Sequence, residues 1–466
     1  MEFIEVLSLV LGIIFACAYL YQIVYFLVGI GAEARERLAG TKKRLPVSEY
    51  GTQSKRYAFV IAARNEANVI SDLIGSLKNQ TYPSELFDIF VIADNCDDDT
   101  ADVARQAGAY VYERTNTEKM RKGYALSDLF EHIREDFGGY GAYDGYIIFD
   151  ADNIVEKNYL VEMDREFVKG RRIITSYRNS KNYGVNWITS GYSVAFMREA
   201  QYLNRPRRIL HSSATVSGTG YLFSSEILEE MGGWHYHLLT EDYGFTADLI
   251  TKGEKIGYAQ NAMFYDEQPT GFKQSWTQRV RWTRGFYQVL FRYGKGLIKS
   301  MFKDRSMFLS RYDIFMFLAP SFLFNLVTVA LSVLAIVLNI IDMQKASSMG
   351  PDVILSFISG LAGFYALNLV QGFIVVASEW NEIRATSGRK IASIFTYPLF
   401  MFTYIPISLV ALFVRPQWNP IAHNKVDSLE DFNKEGVQTA REISGARVKS
   451  PEEIEFPEES VEQQEF

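Results

Sequence analysis

The sequence predicts an α/β fold, a mostly parallel sheet domain inserted between transmembrane and interfacial helices, and three observations lead there. First, residues 6 to 32, 314 to 341, 353 to 378 and 391 to 414 carry no charged side chain. At 1.5 Å per residue each run can cross about 30 Å of hydrocarbon. Second, between residues 45 and 265 short apolar runs alternate with helix-like stretches, the pattern of a sheet covered on both faces. Third, the apolar runs end in carboxylates, and in such sheets ligands gather at the strand C-termini.

The first uncharged run reads as a retained anchor over 1–32, with Glu2 and Glu5 before it and Arg35, Arg37, Lys42, Lys43 and Arg44 after it. That asymmetry puts the insert, 45–265, in the cytoplasm, and the chain in the plasma membrane as a multi-pass protein. Residues 266–312 read as amphipathic interfacial helices, and 313–414 as three membrane segments. Pro398 and Pro406 in the last of these predict a kink or a re-entrant course. A simple count of spans sends the tail, 415–466, outside, whereas a re-entrant fourth segment keeps it inside. Its acidic end, EEIEFPEESVEQQEF, predicts partial disorder. With 48 Lys and Arg against 55 Asp and Glu the chain is mildly acidic, which weighs against a nucleic-acid partner. Cys17 and Cys96 are the only cysteines, so no disulfide framework or cysteine zinc site is signalled.

Within the insert, YAFVIAARNE (57 to 66) predicts the first strand, LFDIFVIADNCDDDT the second with a helix after it, and YIIFDADN (146 to 153) a further buried strand. Asp150 and Asp152, flanking Ala151 at a strand end, can reach one divalent cation, although a solvated turn fits the same pattern. Asp94 ends its strand and can accept from a nucleobase or stand near a metal, while one of Asp97, Asp98 and Asp99 caps the helix that follows. Lys122 suits phosphate or an ordinary surface. In GWHYHLLTEDYGF (233 to 245), Thr240, Glu241 and Asp242 place a carboxylate where a general base is needed, within about 3 Å of an acceptor hydroxyl. His235 and His237 line a cleft or simply hydrogen-bond. No GxGxxG or P-loop pattern occurs. QRVRW (278 to 282) puts Gln278, Arg281 and Trp282 at i, i+3 and i+4, so a guanidinium and an indole address one cleft from one helix face.

In that order, Asp94, then Asp150 with Asp152, then Thr240, Glu241 and Asp242, then Gln278, Arg281 and Trp282 resemble the D, DxD, TED and QxxRW series of membrane-bound family 2 glycosyltransferases. Cellulose, hyaluronan and chitin synthases are of this group, and the resemblance spans roughly residues 1 to 420. It implies a GT-A (Rossmann-like) fold that binds a UDP-sugar. Asn65, Glu66, Asp94, Lys122, Asp150, Gln278 and Arg281 are then expected at the donor, and Asp152 with Asp150 at Mg²⁺ or Mn²⁺. Asp242 is expected as the base, with Glu241 and Thr240 beside it. Trp282, His237 and Gly218 of SGTGYLF are expected at the acceptor, although turn formation accounts equally well for the glycines. The function implied is inverting transfer of a hexose, glucose favoured, to the growing end of a β-linked polysaccharide, coupled to export. The alternatives are non-processive transfer to a lipid or short glycan, and an N-acetylglucosamine polymer. Membrane lipids and an accessory subunit or second copy are the expected partners. RPQWNPIAH (415 to 423) looks family-like without an assignable chemistry, and neither the gating-loop motif nor the cyclic-dinucleotide domain of cellulose synthases is evident.

Overall fold

The computed structural model describes residues 2–39, 54–319 and 346–414, with isolated helical positions between 327 and 337. Most of the second uncharged run, the whole 415–466 tail and the RPQWNPIAH stretch lie outside the described residues. A long apolar helix α1 (Glu2–Ala39) precedes the sheet domain. The domain runs β1 (Tyr57–Ala63), α2 (Ile70–Lys78), β2 (Phe87–Asp94), α3 (Thr100–Gln106), β3 (Tyr110–Arg114), α4 (Lys122–Asp136), β4 (Gly145–Asp150), β5 (Ile154–Val155) and α5 (Tyr159–Phe167). It continues through β6 (Ile173–Ser180), α6 (Trp187–Glu199), α7 (Arg205–Ile209), β7 (Tyr221–Ser224), α8 (Ser225–Met231), α9 (Glu241–Lys252) and β8 (Ile256–Asp266).

These strands form one eight-stranded sheet in the order β3-β2-β1-β4-β7-β6-β8-β5. The β3-β2-β1-β4 half is wholly parallel. The other half is mixed, because β7 runs antiparallel to both β4 and β6, and β5 pairs antiparallel with β8. The sheet is mostly parallel as expected, since β6 also runs parallel to β8, and β7 and β5 are the antiparallel strands. Both faces are covered, with Val60, Phe90, Ile92 and Ile148 packing on one side and Phe59, Ile61, Val91 and Phe149 on the other. Double burial is why these strands read as unbroken apolar runs rather than as alternation. Register aligns Ala62 with both Ile92 and Asp150, and Asp94 with Arg114, so the carboxylates at the ends of β2 and β4 open onto one edge.

Beyond the sheet, α10 (Phe272–Lys303) is a single 32-residue helix, followed by α11 (Phe308–Leu318), α12 (Ala346–Ser378), α13 (Ser387–Phe402) and α14 (Tyr404–Phe413). The first half of α10 is clamped in the protein, whereas its second half exposes Phe291 (84%) and Phe302 (77%), the amphipathic character expected of a surface helix. Among the described residues three segments are long and apolar enough to cross a membrane: Gly12–Ala39, Ile358–Ser378 and Ser387–Phe413. The last is broken between α13 and α14 at Thr403, three residues before Pro406, whose ring nitrogen cannot continue the hydrogen-bond ladder.

Buried ion pairs fasten the sheet domain to the flanking helices. Arg205 meets Glu33 of α1 at 3.1 Å and Glu36 at 2.7 Å, and Arg207 grips both oxygens of Asp313 at 2.7 and 3.0 Å. Helix α6 lies against α13, where Gly191 faces the fully buried ring of Phe400 with no room for a methyl group. Gly191→Ala is therefore expected to destabilise the protein by about 1–3 kcal/mol through overpacking, read as a lower melting temperature in detergent. An unchanged melting temperature would mean that Phe400 yields freely.

Candidate active site

A cavity of about 590 Å³ opens at the carboxyl edge of the parallel half-sheet and extends between α1, α6, α10, α11, α13 and α14. At its sheet end Asp94 is buried, with one oxygen held by the Arg114 guanidinium at 2.5 Å, and Arg114 in turn reaches Asp128 at 2.5 Å. The other oxygen of Asp94, Oδ2, is buried without a partner among the described residues, so it can accept from an N–H of a bound base. Glu66 also lines the cavity. Burial, and then the charges of Asp152 and Asp150, push its carboxyl up to about 9. Asn65 stands apart: it adopts φ +59° and its side-chain oxygen accepts from the Asp97 N–H at 3.0 Å, which shapes the loop and leaves it outside the cavity wall.

Lys122, the first residue of α4, supplies the central cation. Its ammonium donates to Asp150 Oδ1 at 2.5 Å and to the Gly218 carbonyl at 2.9 Å, and stands 3.6 Å from Glu241. Burial works against that charge, but Asp150 and Glu241 outweigh it and hold the ammonium well above its ordinary range. Glu241 and Asp242 open α9, where the helix N-terminus favours negative charge. Gly218, at φ +76°, turns its N–H onto Asp242 Oδ2 at 2.6 Å, so one residue binds Asp242 through its N–H and Lys122 through its carbonyl. Burial and the adjacent Glu241 push the Asp242 carboxyl up to about 7.

From the other side α10 presents Gln278, Arg281 and Trp282 to the same cavity. Gln278 accepts from the Tyr192 hydroxyl at 2.9 Å. Trp282 meets Tyr192 and Phe196 edge-on, with centroids 5.8 and 6.3 Å apart. Arg281 is lowered from its ordinary range by burial, against the pull of Glu241 and Asp150. The helix comes this close because Gly285 lacks a side chain: a Cβ there would lie 2.5 Å from Thr240 Cγ2. The other arginine of QRVRW, Arg279, points away from this face, is wholly buried, and donates to Thr403 Oγ1 at 2.6 Å in the break between α13 and α14.

Thr240, Glu241, Asp242, Glu66, Asp94, Lys122, Asp150, Asp152, Gln278, Arg281, Trp282 and Gly218 are thus brought to one cavity. His237 is not. Its ring stacks on Tyr124 with centroids 4.1 Å apart, its carbonyl accepts from Arg121, and it is absent from the cavity wall. Motif reading missed Arg178, which stacks over Phe196 at 3.6 Å and pairs with Asp266, and it missed Arg198 and Glu199 on α6. These three belong to no short pattern, and only the closure of β6 and α6 against α10 assembles them. The implied cation fits the donor set in one respect: Asp150 and Asp152 offer carboxylate oxygens beside Glu66, and Mg²⁺ or Mn²⁺ commonly takes one or two carboxylates together with phosphate oxygens. Among the described residues no cluster of three or more His, Cys, Asp or Glu side chains forms a complete cage, so the donor's phosphates would have to finish the coordination.

Residues 55–285 match the family model described as Glycosyltransferase like family 2. The chain is 26% identical over 240 residues to a beta-monoglucosyldiacylglycerol synthase of Synechocystis, covering 50% of this chain and 48% of that protein. It is 24% identical over 296 residues to a poly-beta-1,6-N-acetyl-D-glucosamine synthase of Staphylococcus epidermidis, covering 62% and 68%. The match to the Synechocystis relative thus spans about half of that protein's own length. Among solved structures, a mannosyltransferase of Pyrobaculum calidifontis in complex with GDP-Man and Mn²⁺ shares the fold, with a TM-score of 0.54 and 14% identity over 87% of this chain and 99% of that one. The sheet domain thus has a GT-A-like fold. Residues 55–285 form a family 2 glycosyltransferase domain, an enzyme domain flanked by membrane-length helices.

Because the Thr240 contact sets the distance from α10 to the Asp242 turn, Gly285→Ala should lower turnover by up to roughly 100-fold, the scale of an ångström misplacement in a catalytic site. Sugar transfer and melting temperature measured together check this. Full turnover in a stable Gly285→Ala protein would show that the two elements are not coupled.

Proposed function

We propose that the chain transfers a single sugar, with inversion, from a UDP-sugar to a lipid acceptor that enters from the membrane side. One observation carries this reading: the cavity that holds Asp242 is also walled by Tyr19 and Gln22 of α1, Tyr397 and Met401 of α13, and Tyr404 and Ser408 of α14, all within segments of membrane length. A headgroup can therefore approach the carboxylates while its chains stay among apolar helices. The Synechocystis relative, named for making a glucolipid, supports a lipid acceptor, and glucose is the favoured donor sugar. Extension of a β-linked polysaccharide, the function implied by the motif series, uses the same catalytic groups. The polymer-forming Staphylococcus relative keeps it as the second reading.

In the proposed reaction Asp242 takes the proton of the acceptor hydroxyl. That oxygen attacks the anomeric carbon from the face opposite UDP, the new C–O bond forms as the bond to the diphosphate breaks, and UDP leaves. An α-linked donor thus yields a β product. A carboxyl pushed up to about 7 suits this task, since it is basic enough to accept the proton while about half of it is ionised at neutral pH. Asp94 receives the base through its unpartnered oxygen. Arg281 and Lys122 offset charge on the departing diphosphate. Mg²⁺ or Mn²⁺, held by Asp152 and Asp150, would supply further neutralisation of that leaving group.

In detergent micelles with Mg²⁺ or Mn²⁺, UDP release from one UDP-sugar of a panel is expected to require an added lipid acceptor, and Asp242→Asn should slow it by roughly 10²–10⁴-fold. Full activity of Asp242→Asn would refute the assignment of the base. The rate should also rise with pH through about 7, because the base works deprotonated. Lys122 lowers the Asp242 pKa, so Lys122→Met should move that limb to higher pH. A limb near pH 4 would contradict the account.

A further inference from the structure

Six cationic side chains line the described part of the cavity: Arg64, Lys122, Arg178, Arg198, Arg207 and Arg281. Most have defined work. Lys122 is held by Asp150, Arg178 by Asp266 and Arg207 by Asp313. Arg64 stands near Asp94, and Arg281 beside Glu241 and Asp150 at the donor end. Arg198, in the last turn of α6, makes no ion pair or hydrogen bond with any described residue, and its Nε is buried without a partner. Across from α6, Tyr397 of α13 lines the same cavity with a hydroxyl that is buried and likewise unpartnered. The two are electrostatic neighbours, and Met197, next to Arg198, packs in one cluster with Tyr397.

Arg198 as a whole is half-buried, but a buried donor such as its Nε costs free energy unless something accepts from it. A guanidinium has no accepting atom and brings a fixed positive charge, so its complement is an anion with several oxygens. Glu199 is a charge neighbour of Arg198 but forms no ion pair with it: its oxygens lie 3.4 and 3.5 Å from Thr215 and Ser217, and burial raises its carboxyl above the usual range against the pull of Arg207, Arg178 and Arg198. Tyr397 belongs to a membrane-length segment, so an anion held between it and Arg198 would lie where that segment walls the cavity.

We propose that Arg198 and Tyr397 form a phosphate subsite for the acceptor, so that the lipid this enzyme glycosylates is phosphate-bearing rather than a neutral diacylglycerol. The phosphate is a handle, and the attacking hydroxyl belongs to another part of the headgroup. This rests on the lipid-acceptor reading above, but it can be tested without turnover.

The test is calorimetric titration of the full chain carrying Asp242→Asn, in detergent, with dihexanoylphosphatidylglycerol, dihexanoylglycerol and inorganic phosphate. The phospholipid is expected to bind, and Arg198→Met and Tyr397→Phe should each weaken it, by roughly tenfold for the arginine. Arg198→Lys should retain part of the affinity, and neither change should alter binding of the neutral glyceride. Tyr397→Phe removes only a hydroxyl with no partner among the described residues, so it keeps the test valid if Arg198→Met does not fold. Equal binding of phospholipid by the wild-type and variant side chains, or an equal loss for both lipids, would overturn the subsite. Inorganic phosphate binding as tightly as the phospholipid would overturn the lipid as its source. Arg198-dependent phospholipid binding without sugar transfer to any lipid would sink the lipid-acceptor reading and leave the subsite standing.

Discussion

The ammonium of Lys122 is the charge around which this cleft is built. Three pieces of chain that are distant in sequence meet on it: the end of β4 through Asp150, the 217–220 loop through the Gly218 carbonyl, and the first turn of α9 through Glu241. Without it, the half-exposed Asp150 and the buried carboxylates of Glu241 and Asp242 would stand together as like charges, and removing one partner of a buried charge pair is strongly destabilising. The imbalance that remains even with it is visible at Glu66, whose carboxyl is driven up to about 9 by burial and by Asp152 and Asp150. Carboxylates therefore crowd the cleft toward Asp152, the side proposed for a metal and a diphosphate, while Asp242, the proposed base, lies beside Glu241 near Lys122.

A second constraint is steric and joins this chemistry to the membrane helices. Gly285 lets α10 touch Thr240, and Gly191 lets α6 receive Phe400. Between them Arg279 spans from α10 to the break after α13, its guanidinium over the rings of Phe400 and Tyr404 at 4.3 and 4.9 Å. The two arginines of QRVRW thereby divide the labour, with Arg281 facing the reaction and Arg279 fixing the membrane segment that forms the far wall.

The parts of this arrangement that were legible in the sequence are those encoded by local pattern. Uncharged runs of span length marked the apolar helices, doubly buried strands read as continuous apolar stretches, and carboxylates at the strand ends marked the cleft. Asp150, Asp152, Asp242, Arg281 and Trp282 could be named because each sits in a short pattern tied to one element. What could not be read depends on contacts between elements. The antiparallel β7 follows from pairing across the sheet, and Asn65 and His237 were drawn toward the site by their neighbours although one shapes a turn and the other stacks on Tyr124. Arg178, Arg198 and Tyr397 gain meaning only when α6 and α13 close over the sheet edge, and no spacing along the chain announces that.

In the proposed reaction the carboxylate of Asp242 acts as base at the end of a GT-A-like sheet, facing a cavity that continues among membrane-length helices, and sugar passes from a soluble nucleotide to a lipid. The most direct test is the mass of the product formed by the purified chain in micelles containing its UDP-sugar donor and a phosphate-bearing lipid. The account predicts one species, the lipid plus a single sugar residue, whereas a ladder of masses rising by successive sugars would contradict it and establish polymer synthesis instead.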